Sequence, residues 1–230
     1  MLIGPQNLAV HVNHVRSRIS DAARAAGRDP AAVTLIAVSK TKTAEIMRAA
    51  ATAGVTNFGE NYLQEALGKM EQLADLGLCW HFIGGIQSNK SRAIAERFDW
   101  VHSVDRLSVA QRLAAQRPFH APALNLCVQV ALVPESTKGG IEPAGLAELA
   151  SRIAELPRVR LRGLMCMPPP QTDETAQRRV FSQLRMLLEG LIAGGLALDT
   201  LSMGMSGDFE SAIAEGATQV RIGTALFGAR

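Results

Sequence analysis

Lys40 is the residue of this sequence whose position most clearly suggests chemistry. It ends a run of mostly apolar residues, 35–39, that is typical of a buried strand. A lysine at the rim of a buried sheet is partly desolvated, and desolvation favours the neutral amine that forms a Schiff base with an aldehyde. A lysine is also a common solvated residue where a strand ends, so Lys40 alone leaves both interpretations open.

Two pairs of residues near the end of the chain could bind an anion. Ser206-Gly207 and Gly223-Thr224 each follow a predicted strand and begin a new segment. Backbone N–H groups at such turns, together with a hydroxyl, can hold a phosphate group. Each pair could also be an ordinary helix cap or turn. Both nevertheless occur after strands 7 and 8, where the phosphate sites of (β/α)8 barrels typically lie.

A Schiff-base lysine and a phosphate site on one rim predict pyridoxal 5′-phosphate (PLP) as the cofactor. Its aldehyde would bind Lys40, and its phosphate would lie at the two later turns. Arg221 is a candidate partner for the pyridine nitrogen, which a cationic side chain would keep unprotonated. A salt bridge inside the barrel is the alternative role for Arg221.

The elements that must position these residues alternate between strand and helix. An amphipathic helix over residues 8–26 precedes them, and connections are short throughout. The strands are predicted at residues 33–38, 55–58, 80–83, 100–104, 124–132, 161–167, 201–205 and 219–222. Eight such units in about 200 residues predict an α/β fold, a single-domain (β/α)8 TIM barrel over residues 1–230 with an extra N-terminal helix. A doubly wound open sheet is the alternative.

Composition narrows the class of protein further. The 230 residues are 47% hydrophobic, enough for one barrel-sized core, and the 19 arginines are scattered, which argues against nucleic-acid binding. Cys79, Cys127 and Cys166 lack metal-ligand spacing and are expected to be buried thiols in a reducing compartment. Because neither a signal peptide nor a membrane-spanning segment is predicted, we expect a cytoplasmic protein.

Several other polar residues could compete for a role at the rim. Lys42 is expected on the surface, and Lys90 and Lys138 are either loop charges or a second PLP site. His81 and His102 lie within predicted strands and are expected to be hydrogen-bonded core residues; a position inside the barrel near the cofactor is the alternative. Glu60 is expected to cap the helix after the second strand and is not assigned a catalytic role.

Six motifs, in order along nearly the whole chain, resemble the signatures of the PLP homeostasis protein family, also called proline synthase co-transcribed bacterial homologue. They are residues 37–42 (AVSKTK), 58–65 (FGENYLQE), 80–84 with 87–90 (WHFIG and QSNK), 161–165 (LRGLM), 201–206 (LSMGMS) and 220–228 (VRIGTALFG). The chain departs from the family pattern at Gly85-Ile86 and at residues 207–209. These differences are confined to loops and leave Lys40 and the last motif intact.

The resemblance implies a fold-type III barrel similar to the N-terminal domain of alanine racemase, with PLP on Lys40. It also implies roles for six further residues. These are phosphate contacts from Ser206, Gly223 and Thr224, packing of the ring near Asn57 and Met203, and Arg221 facing the pyridine nitrogen.

The resemblance further implies a protein that binds PLP, delivers it to PLP-requiring apo-enzymes and affects amino-acid and keto-acid balance, without a settled activity. A PLP racemase needs an acid or base on each face of the substrate carbon. Lys40 could serve one face, but Tyr62 is the only tyrosine and no second domain is evident. We therefore expect a monomeric PLP carrier; an amino-acid racemase and a PLP-free Schiff-base aldolase are the alternatives.

Overall fold

The computed structural model describes residues 5–133, 139–171 and 173–228, and its centre is a closed barrel of eight parallel strands. The strands pair in sequence order, and β8 pairs with β1 to close the barrel. They are β1 (Thr34–Val38), β2 (Asn57–Glu60), β3 (Cys79–Phe82), β4 (Trp100–Val104), β5 (Leu124–Gln129), β6 (Val159–Met165), β7 (Thr200–Ser202) and β8 (Gln219–Ile222). The predicted barrel is thereby confirmed, including its strand count and parallel pairing.

The helices form the outer layer that parallel strands require. They are α1 (Pro5–Ala25), α2 (Ala44–Thr52), α3 (Leu63–Gln72), α4 (Ser91–Arg97), α5 (Leu107–Gln116), α6 (Pro143–Ala154), α7 (Glu174–Ala193), α8 (Phe209–Ala214) and α9 (Thr224–Phe227). Short 3-10 turns at Pro30–Ala32, Ala74–Leu76 and Ser88–Lys90 complete the connections. None of the helices in the described ranges combines the length and apolar character needed to cross a membrane.

The N-terminal helix α1 covers a part of the barrel that the short helix after β8 does not reach. The helix after β8, α9, has only 4 residues, whereas α1 has 21. Helix α1 packs against α8, α2 and α9, and buries an apolar stripe that includes Leu8, Val12, Val15 and Ile19. These apolar residues recur every three to four positions, so they form one face of the helix, and this face covers the barrel between β8 and β1.

Helix boundaries follow local capping chemistry. The Thr43 side chain accepts a hydrogen bond from the Ile46 N–H at the start of α2, and Asp173 accepts one from the Ala176 N–H at the start of α7. Gly54, with φ +88°, ends the segment after α2 in a left-handed conformation that a glycine adopts without strain. These caps fix where each connection turns back toward the next strand.

Candidate functional site

Lys40 lies just beyond the carboxyl end of β1, in a tight turn of the chain. The strand ends at Val38, and Lys40 is half-buried two residues later. The next residue, Thr41, has φ 66°, a left-handed conformation that is uncommon for a residue other than glycine. The surrounding structure must therefore hold this turn in place.

A buried charge cluster holds the turn on both sides of Lys40. The ammonium of Lys69 on α3 donates to the Ser39 carbonyl oxygen at 2.8 Å and to Glu60 Oε1 at 2.7 Å. Ser39 Oγ donates to the same Glu60 oxygen at 2.6 Å. Glu65 accepts from both the Thr41 N–H and Lys69. The residues before and after Lys40 are thus tied to β2 and α3.

Glu60 is the most enclosed member of this cluster, with 0% exposure. Burial raises the pKa of its carboxyl, and hydrogen bonds from Lys69 and Ser39 act in the opposite direction. Its second oxygen, Oε2, has no hydrogen-bond partner among the described residues. Glu60 ends β2 and contacts the Lys40 turn, so its position is that of a residue that orders the site rather than a helix cap.

A cavity of about 250 Å³ opens at the carboxyl ends of the strands. Its walls come from the ends of β1, β3, β6 and β8 and from the loops after β2 and β7. The lining residues are Val38, Lys40, Asn61, Ile83, Met165, Met167, Met205, Ser206, Gly207, Arg221, Gly223 and Thr224. Five of the seven residues expected to bind the cofactor therefore share one cavity: Lys40, Ser206, Arg221, Gly223 and Thr224.

The loop after β7 gives one side of the cavity its hydrogen-bonding groups. The Asp208 carboxylate accepts from the Met205 N–H at 2.6 Å and so shapes the loop, while Ser206 Oγ accepts from the Ala225 N–H at 3.2 Å. In residues 5–133, 139–171 and 173–228, no hydrogen bond from the Ser206 or Gly207 N–H to backbone or side chain occurs. A Cβ at Gly207 would meet no atom within 4 Å. These N–H groups are therefore available to an anion.

Arg221 brings a buried positive charge to the floor of the cavity. Its side chain donates to Ser202 Oγ at 2.7 Å and to the Cys166 carbonyl oxygen at 2.8 Å, and the residue is only 4% exposed. Burial lowers the pKa of its guanidinium from the ordinary value. Within the described ranges no carboxylate forms an ion pair with Arg221, which argues against the alternative of an internal salt bridge.

Asn57 and Met203, which were expected beside the ring, do not line the cavity. The second strand begins at Asn57, two residues later than predicted, so Asn57 lies at the opposite end of the barrel and bonds to His81. Met203 is fully buried in the hydrophobic core just after β7. Asn61 occupies the position at the end of β2, and its buried Oδ1 has no hydrogen-bond partner among the described residues.

The remaining lysines and the only tyrosine lie elsewhere. Lys42 is buried and donates to the Phe227 carbonyl oxygen at 3.3 Å, so the expectation that it is a surface residue is wrong. Lys90 ends a 3-10 turn outside the cavity, and Lys138 lies outside the described residues. Tyr62 is 56% exposed and does not line the cavity.

Burial is confirmed for His81, His102, Cys127 and Cys166, but the expectation that all three cysteines are buried is wrong for Cys79. His81 and His102 are fully buried and hydrogen-bonded to each other at 3.0 Å. Cys127 and Cys166 are buried free thiols, and Cys79 is a half-buried one. The part of the chain that the structure describes holds no cluster of three potential metal ligands.

Comparison with known proteins identifies close relatives over the whole length. Residues 10–230 match the family model of the alanine racemase N-terminal domain. The chain is 60% identical to a pyridoxal phosphate homeostasis protein of Pseudomonas aeruginosa over 97% of this chain and 96% of that protein. It is 50% identical to the protein of the same name from Escherichia coli K12, over 97% of each chain.

Solved structures agree with these matches. PipY of Synechococcus elongatus PCC7942, solved with PLP bound, superposes with a TM-score of 0.86 at 40% identity, covering 96% of this chain and all of PipY. Alanine racemase of Corynebacterium glutamicum superposes with a TM-score of 0.69 at 17% identity, covering 95% of this chain and 62% of the racemase. The second likeness concerns the fold alone.

Proposed function

Because this chain belongs to the family of pyridoxal phosphate homeostasis proteins, we propose that it binds PLP covalently through Lys40 and passes it to other proteins. One observation carries the proposal. The side chain that can react with the aldehyde, the buried guanidinium and two hydroxyl residues line a single cavity of about 250 Å³. The PipY structure with PLP bound supports the same assignment.

The residues of the cavity suit each part of PLP. When bound, PLP supplies an aldehyde that condenses with an amine and a ring that withdraws electrons. Lys40 would hold the aldehyde carbon as a Schiff base. Hydroxyls of Ser206 and Thr224, with the N–H groups of Ser206, Gly207 and the Gly223 turn, would hold the phosphate.

Three further features of the cavity fit an aromatic, polar-edged molecule. The side chains of Met165, Met167 and Met205 supply apolar, polarizable walls that pack well against rings. The buried Asn61 Oδ1 needs a donor, which a bound molecule or an ordered water would provide. Arg221, expected to face the pyridine nitrogen, cannot accept a proton and would keep that nitrogen unprotonated.

The cavity favours a carrier over a racemase. A racemase requires a second acid or base opposite the lysine. Apart from Lys40, the described residues that line the cavity include no histidine, tyrosine, cysteine, aspartate or glutamate. An arginine at the pyridine nitrogen would also weaken the ring as an electron sink, which suits holding the cofactor rather than transforming a substrate.

Covalent trapping tests the binding proposal. Protein incubated with PLP and reduced with borohydride should carry one pyridoxyl group on the peptide that contains Lys40, as located by mass spectrometry. Lys40→Ala should lose this modification, and Lys90→Ala, the matched control outside the cavity, should keep it. Modification of another lysine in Lys40→Ala at the wild-type yield would contradict the assignment.

Transfer and turnover need separate measurements. Loaded protein should restore activity to an apo-enzyme that requires PLP, faster than an equal amount of free PLP in the presence of a PLP-trapping protein. Chiral analysis after incubation with L-amino acids should show no racemisation. Robust racemisation that depends on Lys40 would refute the carrier proposal and favour an amino-acid racemase.

We also propose that the protein works as a monomer in the cytoplasm. A closed barrel presents no sheet edge for pairing with another chain. Its three free cysteines suit a reducing compartment. Light scattering after size exclusion should give the mass of one chain, and cell fractionation should recover the protein with cytoplasmic markers.

A further inference from the structure

A continuous series of buried hydrogen bonds crosses the inside of the barrel and ends at Arg221. Nε2 of His81 lies 3.0 Å from Asn57 Oδ1, and Nδ1 of His81 lies 3.0 Å from Nε2 of His102. Nδ1 of His102 lies 2.8 Å from Ser202 Oγ, which accepts from Arg221 Nη1 at 2.7 Å. The series therefore joins β2, β3, β4, β7 and β8.

The two ends of the series determine which atom donates at every step. A guanidinium can only donate, so Ser202 Oγ accepts from Arg221 and its own proton points to His102 Nδ1. At the other end, the Asn57 amide directs Nδ2 to Thr56 Oγ1 at 3.1 Å and Oδ1 to His81 Nε2 at 3.0 Å. An amide oxygen can only accept, so His81 Nε2 carries a proton.

One arrangement of protons satisfies all of these contacts. Both histidines carry their proton on Nε2 and accept at Nδ1, so that every hydrogen bond contains a single proton. The reverse arrangement would place the bare Nε2 of His81 against the oxygen of Asn57, two acceptors face to face. A doubly protonated His102 would direct an N–H at the serine hydroxyl, whose proton would then lack an acceptor.

Burial supports this arrangement. His81, His102 and Ser202 are each 0% exposed, so an unsatisfied donor or acceptor there would be costly. Desolvation lowers the pKa of His81 to about 3, and desolvation with the nearby positive charge of Arg221 lowers the pKa of His102 well below its ordinary value. Other titratable groups also face the series: Cys79 Sγ lies 3.4 Å from His81 Nε2, and Cys127, Cys166 and Asp208 lie near Arg221.

The direction of the series determines how the side chain of Arg221 is held. Two of its nitrogens are held, Nη1 by Ser202 and Nη2 by the Cys166 carbonyl oxygen, so the plane of the guanidinium is fixed where it lines the cavity. The first of these contacts requires the serine hydroxyl to keep a lone pair toward Arg221. That orientation is set by His102, then by His81, and finally by Asn57.

We propose that Asn57, His81, His102 and Ser202 are positioning residues that hold Arg221 in the cavity through a hydrogen-bond series of fixed direction. The inference rests on the proposed function only for its consequence, the retention of PLP against Arg221. The positions of the protons are a property of the protein itself, and they can be measured without any ligand.

Nuclear magnetic resonance of the protein without PLP tests the direction of the series. With 15N-labelled histidine, long-range proton–nitrogen correlations at pH 7 should show neutral Nε2-protonated rings for His81 and His102. The chain has 5 histidines, and single histidine-to-glutamine variants assign the signals. Asn57→Leu should give His81 a measurable Nδ1-protonated population. A Nδ1-protonated or cationic ring at either position in the wild type would overturn the proposal.

Ser202 variants test the effect on the cavity. Ser202→Ala should release PLP about tenfold faster than wild type, because one hydrogen bond to a charged group is lost. Ser202→Thr, which restores a hydroxyl, should recover most of this loss. Ser91→Ala, a buried serine on α4 with hydrogen bonds to Ser88 and Gln116, is the matched control and should release PLP at the wild-type rate.

These measurements test the positioning role and the proposed function separately. An unchanged release rate in Ser202→Ala, or a Ser202→Thr variant as impaired as Ser202→Ala, would overturn the positioning role. If the wild-type protein bound no PLP, the proposed function would fail. The magnetic resonance result would still decide the proton positions in the wild type, because that measurement requires no bound PLP.

Discussion

The ammonium of Lys69 lies 2.8 Å from the carbonyl oxygen of Ser39, the residue that precedes Lys40. This contact joins the last turn of α3 to the turn that bears the reactive lysine. The same ammonium contacts Glu60 and Glu65, and Glu65 also binds the N–H of Thr41. The backbone of the Lys40 turn is therefore ordered by charges that do not themselves line the cavity.

Replacement of Lys69 by methionine should destabilise the protein and slow the reaction of Lys40 with PLP. It leaves the fully buried Glu60 without its cation, and removing one partner of a buried pair typically costs about 3–5 kcal/mol of unfolding free energy. The Ser39 carbonyl also loses its donor. Urea unfolding and stopped-flow absorbance with PLP measure the two effects.

The matched control for Lys69→Met is Arg48→Met, which removes an exposed ion pair with Asp75 on the outside of the barrel. This variant should keep wild-type stability and the wild-type rate of PLP addition. If Lys69→Met added PLP at the wild-type rate while remaining folded, the ordering role of the charge cluster would be refuted.

Ser206→Ala should weaken the binding of PLP but not that of pyridoxal, which lacks the phosphate. The hydroxyl lines the cavity beside two N–H groups that are available to an anion, and loss of one hydrogen bond to a charged group corresponds to about tenfold in affinity. Equilibrium titration with both ligands separates a phosphate contact from a general loss of structure. Ser151→Ala, an exposed change on α6, should alter neither affinity, and an equal loss for both ligands in Ser206→Ala would argue against a phosphate contact.

The sequence predicts the fold and the rim residues because both depend on local pattern. Lys40, Ser206, Arg221, Gly223 and Thr224 adjoin strand ends, and the rule that barrel sites lie at the carboxyl ends brings them together. Asn57, which the resemblance implies beside the ring, lies away from this rim because β2 extends over Asn57–Glu60 instead of residues 55–58. A shift of two residues leaves the same side chains facing inward, so hydrophobic alternation cannot detect it.

Tertiary contacts account for what sequence reasoning missed. Asn61 belongs to the motif at residues 58–65, and the correct end of β2 would have identified it as a site residue. Lys69 lies on the buried face of α3 beside Ala66 and Met70, but nothing local indicates that its ammonium reaches the Ser39 carbonyl. The series from Asn57 to Arg221 likewise joins residues from five strands, whose lateral order becomes known only once the barrel is closed.

The stability of the protein should fall as the pH drops below about 6.5. The pKa of His81 is lowered to about 3 in the folded state by burial, and that of His102 is also well below its ordinary value. Between the folded and unfolded pKa values the unfolded chain binds more protons, so acid favours unfolding. Each histidine should contribute a slope of up to about 1.4 kcal/mol per pH unit, and this penalty is absent above the unfolded pKa.

Urea unfolding at several pH values between 5 and 7 measures that slope. His102→Gln should reduce the slope by about the contribution of one histidine, because glutamine does not bind a proton in the unfolded chain. His14→Gln, at an exposed position on α1, is the matched substitution outside the barrel. A slope unchanged in His102→Gln would show that this residue does not carry the predicted pH dependence.

The three thiols should react slowly with alkylating reagents while the protein is folded. Burial raises the pKa of Cys79, Cys127 and Cys166 to about 12, and the charge of Asp99 adds to the effect at Cys79. The reactive thiolate is therefore scarce near neutral pH. Mass spectrometry after timed exposure to iodoacetamide at pH 8 should find Cys79 modified first, since it is half-buried whereas the other two are enclosed. Ser17→Cys places a thiol at an exposed position on α1, and this thiol should react at the rate of an unfolded peptide. If Cys127 or Cys166 reacted at that rate in the folded protein, the expected protection by burial would be refuted.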